Sequence, residues 1–162
     1  MQFPANERER LRVLEELAIL DTPRETFFDD LAYLAAHVCD TPIALVTFVD
    51  GSRQWFKAKV GLETSETPRD VAFCSHAILG DDIFEIPDSH TDERFAHNAL
   101  VLGHPHVRFY AGAPLLTSDG FALGTVCAID HEPRELTTGQ REALRALSRL
   151  IIAELERRRT IR

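Results

Sequence analysis

The sequence predicts an α+β domain in which an antiparallel sheet is flanked by helices, and three observations carry that expectation. Two hairpin patterns, Ile43 to Val60 and Val107 to Ile129, pair neighbouring strands antiparallel. Amphipathic helical periods occupy both ends of the chain. At 162 residues with 44% hydrophobic content there is apolar material for one core of ordinary size, so residues 1–162 are expected to form a single domain.

The first helix is expected from Asn6 to Leu20, with Leu11, Leu14, Leu17 and Ala18 on its dry stripe and Glu7, Arg8, Arg10 and Arg12 on its wet face. Asn6 with Glu9 three residues on makes a helix start. Thr22-Pro23-Arg24-Glu25 reads as a second capping signal, with Thr22 as cap, Pro23 at the first helical position and Glu25 reaching back. The helix that follows runs to about Asp40 with Phe27, Leu31, Leu34 and Val38 as its stripe. At Ile43 the period changes. A β-rich run to Val49 is followed by an Asp50-Gly51 turn, and then Phe56, Ala58 and Val60 alternate with Trp55, Lys57 and Lys59.

Gly61 to Arg69 is loop, and Asp70 can cap a short helix ended by Gly80. Ile83 to Ile86 is a strand stopped by Pro87, and Ser89 to Gly103 is loop with irregular helical turns. Val107 to Ala113 and Ala122 to Ile129 pair through the Thr117 to Gly120 turn. Thr137 and Gln140 form a capping box that opens a last helix with Leu144, Leu147, Ile151 and Leu155 on one face.

A net charge of −8, with 18 basic residues scattered rather than gathered into a stripe, argues against nucleic acid as a partner. No apolar run approaches the ~18 residues needed to span a bilayer, and the N-terminus has no secretory pattern, so a cytoplasmic protein without membrane contact is expected. Cys39, Cys74 and Cys127 are far apart and form no Cys-x-x-Cys pair, which reads as free thiols in a reducing compartment.

Five segments occur in one order: Phe73-Cys74-Ser75-His76-Ala77-Ile78, Pro87-Asp88, Asp92-Glu93-Arg94-Phe95, Arg108 to Leu115, and Gly124-Thr125-Val126-Cys127-Ala128-Ile129-Asp130. With Ile19-Leu20-Asp21-Thr22 and Arg53-Gln54-Trp55-Phe56-Lys57 upstream, they resemble a bacterial GAF domain over nearly the whole chain. The resemblance is to the subgroup attached to histidine kinases and diguanylate cyclases. It implies a sheet of about six strands, with terminal helices on one face and short helices and loops on the other. It also implies a signalling output domain or partner protein, and terminal helices that serve as a homodimer seam. The chain itself carries no kinase, cyclase or phosphoacceptor signature, so it is expected to be a free-standing regulator or an excised input module.

The resemblance places a small-molecule cavity on the sheet face covered by the middle helices and loops, with the identity of the ligand or cofactor open. Along the strand from Val107, the residues Arg108, Tyr110 and Gly112 share one face, where glycine would let a ligand approach the backbone. Arg108 needs an anion, which Asp88, Asp92 or a ligand would supply. Trp55 and Lys57 share a parity, and Phe73 and His76 lie one helical turn apart, so these four are expected in the same cavity. Cys74, Asp88, Arg94 and Cys127 complete the candidate set. Cys74 and His76 diverge on a helix, and His97, His104 and His106 read as loop histidines, so no metal site is expected. Nor does any cysteine sit in the local motif of covalent tetrapyrrole binders. The expected function is sensory or regulatory, without a catalytic centre. The alternatives are a cysteine-dependent free methionine sulfoxide reductase and a ligand-free dimerisation scaffold.

Overall fold

Side chains along Ile43–Val49 (β1) point alternately to two separate apolar cores, and this period of two sets up the layers of the molecule. Ala44, Val46 and Phe48 enter one core, while Ile43, Leu45 and Val49 enter the other. The computed structural model describes residues 2–161. The remaining strands are β2 (Arg53–Val60), β3 (Glu66–Pro68), β4 (Phe84–Ile86), β5 (Phe109–Leu116) and β6 (Ala122–Asp130). They form one antiparallel six-stranded sheet in the order β3-β2-β1-β6-β5-β4. Both expected hairpins are present, β1 with β2 and β5 with β6.

Helices α1 (Glu7–Leu17), α2 (Thr26–Cys39) and α5 (Thr138–Ile161) cover the first face. Short helices α3 (Cys74–Ala77) and α4 (Ala99–Leu102), with the loops around them, cover the second. The α+β architecture expected from the sequence is therefore the one observed. The α5 stripe of Leu144, Leu147, Ile151 and Leu155 is buried as expected. Its capping box is made in both directions: Thr137 N donates to Gln140 Oε1 at 2.9 Å and Gln140 N to Thr137 Oγ1 at 3.1 Å.

Three local expectations are corrected. The stripe Phe27, Leu34 and Val38 on α2 is 38%, 42% and 37% exposed; the inward face is Phe28, Leu31, Ala32, Ala35 and Cys39. Ala32 and Ala35 let α2 lie close on the sheet, with Phe28 and Leu31 filling the space beside them and Phe27, Leu34 and Val38 left on the outer side. Glu25 does not close a capping box at Thr22; it is the residue before α2, and its carboxylate is drawn to Lys57 and Arg158. Arg10 is buried rather than wet, because its guanidinium donates to the Val49 carbonyl at 2.7 Å and pairs with Glu7.

Glu7 also holds Arg69, at 2.6 Å, so one carboxylate joins α1 to the loop that leads into α3. No described helix is long and apolar enough to cross a membrane.

Candidate functional site

The second face of the sheet carries a small cavity of about 60 Å³ between the strands and the α3 and α4 segments. Its inner wall is apolar: Leu45 from β1, Phe56 from β2, Phe73 before α3, Val107 before β5 and Ile129 from β6. Leu62 and Leu100 are half-buried at the mouth, beside the exposed Thr64 and His104. Four polar side chains interrupt the apolar wall: Gln54, Thr67, Cys74 and Tyr110.

Tyr110 and Cys74 meet through the geometry of β5. Tyr110 lies over Gly112, where a Cβ would come within 2.2 Å of the phenol oxygen, so glycine makes room for this ring rather than for a ligand. That placement brings Tyr110 Oη to 3.0 Å from Cys74 Sγ. Thr125 Oγ1 lies 3.0 Å from the same sulfur and 3.0 Å from Thr47 Oγ1. Burial pushes the Cys74 thiol up, but the neighbouring Cys127 and the hydroxyls of Thr125, Tyr110 and Thr47 outweigh it by favouring the thiolate, and bring the thiol down to about 7. Burial, together with the Cys74 sulfur beside it, drives Cys127 well above its ordinary value, and burial does the same to the Tyr110 phenol. The cavity wall therefore presents one ionisable thiol held by hydroxyl donors.

Gln54 is the unbalanced member. It is 4% exposed, its Nε2 donates to Thr67 Oγ1 at 3.0 Å, and its Oε1 has no protein partner. A buried amide oxygen left unpaired costs about 1–3 kcal/mol.

Of the ten residues singled out from sequence, Phe73, Cys74 and Tyr110 line the cavity. Cys127 lies behind Cys74, in the same apolar core. Trp55 and Lys57 are on the opposite face, and the cause is a one-residue bulge. Val46 pairs with Ala58 and the next residue, Thr47, pairs with Phe56, so Lys57 is the extra residue on β2. Trp55 and Ala58 join the core under the long helices while Phe56 turns to the cavity side. The expected alternation is thereby reversed for Trp55 and Phe56, while Ala58 and Val60 still share a face. Lys57 Nζ is buried against Glu25 at 2.7 Å, Thr22 Oγ1 at 2.8 Å and the Pro23 carbonyl at 2.6 Å.

The remaining four lie outside the cavity. Arg108 precedes β5, is 28% exposed and pairs with Asp88 through two bonds of 3.0 Å. His76 turns away from Cys74 and stands edge-on to Phe95, with burial lowering its pKa and the Arg94 charge adding to that. Arg94 pairs with Asp92 and lies over the Phe84 and Phe95 rings. No cluster of three His, Cys, Asp or Glu among the described residues is placed to hold a metal.

Sequence reasoning missed Gln54, Phe56 and Thr67, although the motif from Arg53 to Lys57 contained two of them. It also missed Thr47 and Thr125, whose signal was a threonine in the middle of each otherwise apolar strand.

An antiparallel six-stranded sheet with long helices on one face and a cavity under short helices on the other defines a three-layered α+β fold. The GAF domain profile matches residues 23–155, and the chain belongs to that family. Over 154 residues, 94% of this chain, it is 40% identical to a cyclic di-GMP phosphodiesterase of Pseudomonas aeruginosa, of whose length it spans 26%. The fold is similar to the GAF domain of an Acinetobacter phosphoenolpyruvate-protein phosphotransferase, with a TM-score of 0.67, 12% identity and 95% of each chain covered. It is equally similar to a free methionine-R-sulfoxide reductase from Neisseria meningitidis, at TM-score 0.67 and 14% identity, covering 100% of this chain and 98% of that one.

Proposed function

We propose that residues 1–162 form one sensory GAF domain that binds a small molecule in the cavity beside Tyr110 and Cys74 and passes the signal to its terminal helices. The observation that carries this reading is the double use of β2. Gln54 and Phe56 face the cavity, while Lys57 passes to the other face. There Glu25 bridges Lys57 at 2.7 Å and Arg158 of α5 at 2.6 Å. A movement of β2 by a fraction of an ångström alters both ends of this chain of contacts. Coupling of ~1–3 kcal/mol would be enough for regulation.

The 40% identical relative supports a place in bacterial signal transduction, with an output domain or partner protein receiving the signal. The histidine kinase and diguanylate cyclase subgroup, a cytoplasmic location and a homodimer seam along the terminal helices belong to the same proposal. Sedimentation of the purified domain tests the dimer.

The test is a thermal-shift screen of cyclic nucleotides, amino acids and small neutral metabolites on wild type and Leu45→Trp, which fills the cavity. The proposal expects at least one hit that stabilises wild type and is lost in the variant. Hits that stabilise both proteins alike contradict it.

A second reading, cysteine-dependent reduction of free methionine sulfoxide, draws on the packing of Cys127 against Cys74, a contact that the distance between them in sequence did not suggest. The cavity wall holds neither a carboxylate nor a lysine or arginine to receive the charged ends of a free amino acid, which weighs against this reading. Turnover that disappears in Cys74→Ser would reverse the order.

A further inference from the structure

The cavity is shut. Cys74 is 1% exposed although it forms part of the wall, and Gln54, Phe73 and Tyr110 are buried with it. A ligand reaches these side chains only when a covering segment moves. The cover that carries Phe73 and Cys74 runs from the single helical turn Arg69–Val71 through α3. It is hinged where β3 ends, with Arg69 N bonded to the Ser52 carbonyl at 3.0 Å. Beyond that hinge it hangs on the Arg69 carbonyl, which accepts from Ser75 Oγ at 2.6 Å and from Ala72 N at 3.1 Å. Asn98 Nδ2 donates to the Val71 carbonyl at 3.0 Å and ties this cover to the α4 segment beside it.

The Arg69 side chain is held by the opposite layer. It is 0% exposed, and Glu7 at the start of α1 accepts from it at 2.6 Å and 3.1 Å. The same carboxylate binds Arg10, also 0% exposed, at 2.9 Å. One anion thus serves two buried cations, and the two fare differently without it. Arg10 keeps the Val49 carbonyl at 2.7 Å and the Ala122 carbonyl at 3.4 Å. Arg69 keeps only the Asp50 carbonyl at 3.0 Å, and its Nε has no partner. The Phe3 ring that lies over it, 4.5 Å from the guanidinium carbon, is itself half exposed, so water is close. An open groove of about 520 Å³, lined by Pro4, Asn6, Leu79 and Gly80, leaves the far end of the cover room to shift.

We infer that Glu7 is a latch: through Arg69, the start of α1 holds the α3 segment shut over the cavity, and a displacement of α1 lets that segment lift. The inference rests on the sensory reading above and assigns control of access to its site. When α1 moves, Arg10 stays on its two carbonyls while Arg69 loses its counter-ion and turns to water, drawing the cover with it. The control runs both ways: a ligand that enters only the open form loosens α1 by the same free energy that a loosened α1 adds to binding.

The rate at which methyl methanethiosulfonate modifies Cys74 at pH 7 reports how often the cover opens, and Cys39, buried in the other core, reports global unfolding. Both are followed by mass spectrometry in wild type, Glu7→Gln and Arg69→Met, with Glu25→Gln as a variant that loses stability through a different ion pair. Glu7→Gln is expected to speed modification of Cys74 roughly tenfold to a hundredfold, the worth of a charge-assisted hydrogen bond in a local opening, with Cys39 unchanged. Arg69→Met is expected to do the same. It removes the buried charge instead of orphaning it, so it decides the matter should Glu7→Gln fail to fold. Glu25→Gln is expected to leave Cys74 at the wild-type rate. An unchanged Cys74 rate in the latch variants overturns the inference, as does a rise that Cys39 shares or that Glu25→Gln reproduces. These rates are read without a ligand, so a failed latch leaves the thermal-shift screen to decide the sensory reading by itself.

Discussion

Replacing Glu25 by glutamine leaves the Lys57 ammonium, whose side chain is 0% exposed, beside an uncharged amide. Removing one partner of a fully buried ion pair costs ~3–5 kcal/mol. Here Thr22 Oγ1 and the Pro23 carbonyl still accept from Nζ, at 2.8 Å and 2.6 Å, and Glu25 reaches solvent, so the expected cost is about 2 kcal/mol. In a domain of this length that lowers Tm by roughly 4–8 °C. Urea unfolding at pH 7 measures it.

Lys57→Met removes the charge and keeps the stem packed near the Phe28 ring, so the double variant should regain most of the loss. Arg158, which binds Glu25 most strongly, and Lys57 together hold its carboxyl at about 2, against an ordinary 4.5. A folded-state value below the unfolded one contributes stability that is complete above 4.5 and is lost as pH falls towards 2. The penalty of Glu25→Gln should therefore shrink across that interval. A cost at pH 7 below ~0.5 kcal/mol, the level of a surface pair, would refute the reasoning, as would a double variant no better than the single one.

Three further outcomes follow from the same geometry. Glu7→Gln leaves two buried guanidinium groups, Arg10 and Arg69, with carbonyl acceptors but no carboxylate, and should cost roughly 2–4 kcal/mol by urea unfolding. Methyl methanethiosulfonate, followed by mass spectrometry over a pH series, should modify Cys74 with a midpoint near 7, well below Cys39, whose thiol burial raises to about 11. Tyr110→Phe removes one donor and should move the Cys74 midpoint upward by about one unit. Arg108→Ala should respond like wild type to a compound that the thermal-shift screen assigns to the cavity, because that guanidinium pairs with Asp88 outside it; a lost response would place Arg108 in the site after all.

The elements were legible where local chemistry decides them. Thr137 and Gln140 could only serve a helix start, and the two hairpins announced themselves through Asp50-Gly51 and Asp119-Gly120. The faces were harder to read. On α2 a stripe of large apolar residues looked like the core, but the alanines govern how closely a helix can approach a sheet, so Ala32 and Ala35 face inward and Leu34 faces out. On β2 a single bulge inverted the parity, which exchanged Phe56 for Trp55 and Lys57 at the cavity. A bulge reflects strand register across the sheet, and no property of Lys57 itself reports it. Cys74 and Cys127 are separated by much of the chain, so only the packing of α3 on the sheet could bring them together.

Amide hydrogen exchange at Glu154 to Arg158 of α5 tests most directly whether the cavity speaks to the terminal helices. The protein is measured alone and saturated with the compound that most stabilises wild type in the thermal-shift screen, with Lys57→Met run in parallel. The account predicts altered exchange at the end of α5 in wild type and a much smaller change in Lys57→Met, with Thr67 and Phe73 beside the cavity protected in both. Protection at Thr67 and Phe73 with α5 unchanged in wild type would contradict it.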